Sequence, residues 1–188
     1  MKIHPSLKCA LFTFFIFPAF ILNASDFKEI EWVELMPNDD LAALLDRPKY
    51  LDQVADGSAD DSVDNFKNQD FNDEKTQRYQ QALRSMRVIE SFNHQAIRIP
   101  GFIVPLQQNE DKKVTEFFIV PYFGACIHLP PPPPNQMIYA KSKQGVELED
   151  LNQPFWFEGT VNIEAQKHSL GTSAYTMALA NVMPYEDE

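Results

Sequence analysis

Two periods of apolar residues divide the chain. From residue 87 onward apolar positions recur every second residue, the mark of strands with one buried face. Segments 87–92, 95–106, 114–121, 137–140, 154–163 and 172–182 read as six strands separated by turn-rich stretches. Asn93-His94 supplies a tight turn, since Asn tolerates positive φ, and Gln144-Gly145 supplies another. Pro100-Gly101 predicts a bulge or barrel corner, and Gly159 predicts a bend. Many short strands of this kind close most readily into a small barrel. The expected fold is mainly β: a small antiparallel, OB-like barrel with one or two N-terminal helices. Before residue 87 the spacing is helical. Leu41, Leu44 and Leu45 predict a short helix over 40–45, capped by Asn38 or Asp39 and stopped by Pro48. Tyr79, Leu83 and Met86 give an apolar stripe to a second helix over 74–86, capped by Asp73. Residues 25–37 read as an edge strand or extended arm packing through Trp32.

Between the helices, residues 50–72 carry many acids and few apolar side chains, a composition that cannot offset the entropy of ordering. Asp56, Asp60, Asp61 and Asp64 offer oxygens to calcium, but EF-hand spacing is missing, so a solvated linker is expected. The first 24 residues read differently again. Lys2 and Lys8 precede an almost wholly apolar run over 9–22, which ends at Asn23-Ala24. This is the order of a secretory signal peptide, and the run is shorter than the roughly 20 residues a membrane span needs. An uncleaved anchor is the alternative. Cys9 precedes the apolar run and so does not suit a lipoprotein. The expected organisation is a signal peptide over 1–24, an arm, short helix and acidic linker over 25–72, and a helix plus β-barrel domain over 73–188.

Removing 1–24 takes away two lysines and no acid, so 16 basic side chains become 14 against 27 acidic ones, a net charge of −13. Such a surface repels nucleic acid. It leaves Cys126 as the lone cysteine, so no disulfide forms within the mature chain. In an oxidising compartment a single thiol is buried as a small hydrophobe, a metal ligand, or a reactive group.

Cys126 sits in the stretch that concentrates chemistry, Tyr122-Phe123-Gly124-Ala125-Cys126-Ile127-His128-Leu129, followed by Pro130, Pro131, Pro132, Pro133, Pro134, Asn135 and Gln136. Cys126 and His128 lie on one side of an extended segment, about 6.6 Å apart at Cα. Thiolate and imidazole suit zinc or copper, but a full site needs further ligands. His168 or His94 would have to come from elsewhere in the fold, although His94 has a simpler account as a turn residue and His168 as a solvated one. A thiol-dependent enzyme is a further alternative, yet no local catalytic motif accompanies the pair, and the chain leans away from catalysis. Five prolines form a stiff polyproline II rod on the order of 15 Å long. It either serves as an internal strap on Trp156, Phe155 and Phe157 or faces a partner, with Tyr122, Phe123, the prolines, Asn135 and Gln136 as the contact surface.

The blocks Arg-Ile-Pro-Gly-Phe-Ile-Val-Pro-Leu over 98–106 and Val-Pro-Tyr-Phe-Gly-Ala-Cys-Ile-His-Leu-Pro-Pro-Pro-Pro-Pro-Asn-Gln over 120–136, together with Gly159, resemble bacterial domain-of-unknown-function family 3299. The resemblance covers roughly 87–184. It implies a secreted protein or lipoprotein of a Gram-negative bacterium, and the lack of a usable lipobox sets this chain apart from the lipoprotein members. Through neighbouring ABC-transporter components and a zinc-binding protein, it implies an accessory role in metal or envelope transport. It implies a periplasmic or inner-membrane protein partner and brings no activity with it. No cofactor follows from it beyond the zinc that this association suggests.

Overall fold

A computed structural model describes residues 27–49, 51, 58, 73–124 and 130–185. The acidic linker reading, the calcium-loop alternative and the signal peptide fall outside these residues, except that Leu51 and Ser58 are described. Among the described residues no helix is long and apolar enough to cross a membrane.

The strands are β1 (Lys28–Glu29), β2 (Gln95–Gln108), β3 (Val114–Val120), β4 (Ile138–Val146), β5 (Pro154–His168) and β6 (Gly171–Pro184). They form one sheet in the order β1-β2-β3-β4-β6-β5, and β2 also pairs with β5, which closes a five-stranded barrel. The mainly β, OB-like expectation holds. Within the barrel all pairings are antiparallel except β4 with β6, which is parallel. The β4–β6 ladder is short, Ile138–Ala140 with Tyr175–Met177, and β1 lies parallel along β2 as a short addition.

Long, coiled strands make the closure possible. The first half of β2 pairs with β5 and its second half with β3, the exchange falling at Phe102. The register runs unbroken through Pro100 and Gly101, so the bulge expected there is absent; irregularities come at Pro105–Gln108 instead. Gly101 serves close approach: a Cβ there would sit 2.8 Å from the Val120 carbonyl oxygen and 3.2 Å from the Trp32 ring. Gly159 does mark a bend, at a register shift between β5 and β6.

Alternation then sorts side chains. Ile97, Ile99, Phe117, Ile119, Ile138, Phe155, Phe157 and Tyr175 fill the barrel. The intervening residues of β3, Phe118 and Val120, are equally buried, with Met137, in a smaller cluster on the outer face beside Phe102, Val104 and Tyr139. That double burial explains the unbroken apolar run Phe-Phe-Ile-Val at 117–120.

The two expected helices are present as α1 (Asn38–Leu45) and α2 (Glu74–Leu83). Asp73 caps α2, its side chain accepting from the Thr76 amide at 2.9 Å. The helices share a small cluster of Leu44, Leu51, Tyr79 and Leu83. Helix α2 stops at Leu83, short of Met86. Ser85 turns inward and its hydroxyl donates to Asp40 at 2.5 Å, which leaves Met86 exposed.

Segment 87–92 corrects the sixth strand. It joins no ladder: residues 90–92 form a 3₁₀ turn, and the Ile89 amide donates to the Tyr175 hydroxyl at 2.8 Å. The following turn places His94 at φ 63°, so His94 rather than Asn93 takes the left-handed conformation. At the N-terminus Trp32 begins another 3₁₀ turn, and its indole N–H donates to the Pro100 carbonyl at 2.6 Å. The arm therefore packs through Trp32 as expected.

Candidate functional site beside the proline strap

The connection from β3 to β4 carries most of the residues singled out by sequence. Tyr122 and Phe123 follow β3 directly and are 42% and 44% exposed. Gly124 takes φ 77°, a conformation a side chain rarely adopts, and so turns the chain. The Tyr122 hydroxyl donates to the Pro130 carbonyl at 3.0 Å. Residues 125–129, including Cys126 and His128, lie outside the described residues.

Proline then shapes the strap. Pro130, Pro131 and Pro134 are half-buried, while Pro132 and Pro133 are buried. A 3₁₀ turn over Pro134–Gln136 ends it. Asn135 and Gln136 are buried and face inward. The Asn135 amide donates to the Arg87 carbonyl at 2.9 Å and lies 3.4 Å from Asp40. The Gln136 amide donates to the Trp32 carbonyl at 2.7 Å. These two amides fasten the strap to the N-terminal arm and to the segment after α2. The aromatic residues expected beneath it are engaged elsewhere: Phe155 and Phe157 fill the barrel. Trp156 lies under the Arg98 guanidinium at 4.0 Å and beside Tyr185.

Buried Asp40 is the hub of this anchorage. It accepts from Ser85 at 2.5 Å and from Arg87 at 3.2 Å. Arg87 also donates to Asp39 at 2.5 Å, and this bond holds the Asp39 carboxyl below its usual range. One buried carboxylate thus joins α1, the segment after α2 and the strap.

His168 ends β5 and is exposed. Its ring meets Phe118 edge-on with centroids 6.4 Å apart. The Leu170 amide donates to its Nδ1 at 3.3 Å. The structure brings His168 to the strap: together with Pro131, Pro132 and Pro134 it lines a cleft of about 600 Å³. Arg84, at the C-terminal end of α2, and Lys167 border the same cleft. A neighbouring hollow of about 550 Å³ shares Arg84 and Met86 and adds Asp39, Asp40, Arg78 and Arg87. His94 stands apart as a turn residue, its Nδ1 2.8 Å from the side-chain Oδ1 of Asn162. Among the described residues no group of three His, Cys, Asp or Glu side chains could hold a metal ion.

Sequence reasoning missed Arg84, Lys167 and the Asp40–Ser85–Arg87–Asn135 network. Arg84 lies within the predicted helix but outside its apolar stripe, and Lys167 stands beside His168. Nothing local reveals that both border the strap.

The architecture defines a five-stranded OB-like barrel carrying a proline strap and two packed helices. The profile of the family described as "Protein of unknown function (DUF3299)" matches residues 32–184, and the chain belongs to this family. A crystal structure of a DUF3299 family protein from Pseudomonas aeruginosa PAO1 is similar at 32% identity, covering 86% of this chain and 98% of the other, with a TM-score of 0.59. No curated protein matches.

Proposed function

We propose that this chain is an exported accessory protein that binds a periplasmic or inner-membrane protein, in support of an envelope transport system such as one for zinc. One arrangement carries the reading: half-buried Pro131 and Pro134 line a cleft of about 600 Å³, a size that seats side chains well. Tyr122 and Phe123 are exposed, and Tyr122 is tied to the strap through Pro130. Inward Asn135 and Gln136 hold the strap in shape, so the contact surface contracts to Tyr122, Phe123, Pro130, Pro131, Pro132 and Pro134. A fold-level analogy points the same way, since barrels of this class often bind through the loop joining their last two strands. Here that loop is the 169–170 turn, and it borders the cleft. The excess of acids opposes nucleic acid as the partner.

Crosslinking in the producing cell followed by affinity capture tests the reading. The wild-type chain is expected to recover a defined envelope protein, and Pro131→Ala/Pro134→Ala is expected to reduce that recovery at least fivefold with unchanged circular dichroism. Equal recovery by the folded variant overturns the reading.

A second reading, a zinc or copper carrier using Cys126, His128 and His168, draws on one observation. His168 is exposed and lines the cleft beside the strap. Protein purified without an affinity tag is then expected to hold stoichiometric zinc or copper, lost in Cys126→Ala. Metal-free wild-type protein with no affinity in competition titration ends this reading.

A further inference from the structure

The cleft beside the strap has a charge opposite to that of the molecule. The chain carries 27 acidic and 16 basic side chains, yet among the described residues no acid lines this cleft. Arg84 reaches it from the end of α2, and Lys167 and His168 from the end of β5. Arg84 and Lys167 form no ion pair with any described residue. Their neighbours on the surface are mostly paired: Arg87 with Asp39 and Asp40, and Lys75 with Asp46 at 2.7 Å. Two uncommitted cations facing one hollow form a receptor for carboxylates, and a guanidinium matches a carboxylate with two parallel donors.

The rest of the cleft is apolar. Pro131, Pro132 and Pro134 form one wall, with Met137 and exposed Leu170 adjoining. Proline rings present flat apolar faces that pair with aromatic rings, as in the common recognition of polyproline II segments. We infer that the cleft binds a short acidic peptide segment of the protein partner, seating an aromatic side chain against the prolines and carboxylates against Arg84 and Lys167. This deepens the binding role proposed above and rests on it. A polyanion such as nucleic acid or an anionic bilayer meets the repulsion of the whole molecule, whereas a segment with two or three carboxylates concentrates its charge on the one basic cleft.

Fluorescence anisotropy with purified protein tests the inference. The probe is an eight-residue labelled peptide with glutamates on both sides of a tryptophan. It is expected to bind saturably, at least tenfold tighter than the same peptide with lysines for glutamates or serine for tryptophan. Arg84→Glu/Lys167→Glu is expected to weaken it at least tenfold. Both residues are exposed, so the melting temperature should stay put. The control Lys112→Glu/Lys143→Glu changes net charge equally away from the cleft and should alter affinity less than twofold. Equal weakening by the control would assign the effect to the general field and overturn the inference. So would equal binding of the lysine peptide, or binding of phosphatidylglycerol vesicles in place of the acidic peptide. Persistent partner capture by Arg84→Glu/Lys167→Glu would overturn the acidic segment alone, while the partner-binding reading stands or falls with the proline variant.

Discussion

Replacing Tyr175 by phenylalanine is expected to lower the unfolding free energy by about 2–4 kcal/mol. The side chain is fully buried in β6, and its single hydroxyl serves two distant segments. It donates to the Leu35 carbonyl at 2.9 Å and accepts from the Ile89 amide at 2.8 Å. Burial accordingly pushes the phenol above its usual range. Phenylalanine keeps the ring and removes both bonds. The buried Leu35 carbonyl and the part-buried Ile89 amide then lose their partner, at about 1–3 kcal/mol for each group that water cannot reach. In a domain of this size the melting temperature should fall by about 5–12 °C. Urea unfolding at an unchanged slope would assign the loss to the folded state. Amide exchange should quicken at Ile89 and along the arm, because the hydroxyl is what ties them to the barrel. A loss under about 1 kcal/mol would mean that water replaces the hydroxyl and that the clamp is dispensable.

The contrast between Tyr175 and its surroundings explains what was readable in advance. Five barrel strands announced themselves because alternate residues such as Phe155 and Phe157 must face one core. The Asp73 cap is also local, three residues from the amide it satisfies. Segment 87–92 alternates in the same way, yet its amide at Ile89 is claimed by a hydroxyl 86 residues away. No periodicity reports such a partner. The same holds for the strap. Polar Asn135 and Gln136 at the end of a proline run read as surface, but Gln136 reaches the Trp32 carbonyl across 104 residues. The cleft follows the same logic: Arg84 and Lys167 meet only once β5 and α2 are placed against the strap. Local chemistry sets the elements, while the site depends on pairings between remote segments.

Gly159→Ala carries that argument to the barrel itself and is expected to cost about 3 kcal/mol. Gly159 sits where the pairing of β5 with β6 shifts register. A Cβ there would lie 2.5 Å from the Ala178 carbonyl oxygen and 2.8 Å from Met177 Cγ. The first contact is with backbone held in the ladder, so relief requires β6 to move away from β5. Because β6 also pairs with β4, that movement strains the closure of the whole barrel. The melting temperature should fall by about 6–12 °C. A second substitution separates backbone from side chain. Met177→Ala removes the flexible contact and leaves the carbonyl, so the double variant should be no more stable than Gly159→Ala. Recovery in the double variant would make Met177 the obstacle and the ladder compliant. Persistent loss would show that the bend exists because two backbones must pass within reach of each other, which only glycine permits.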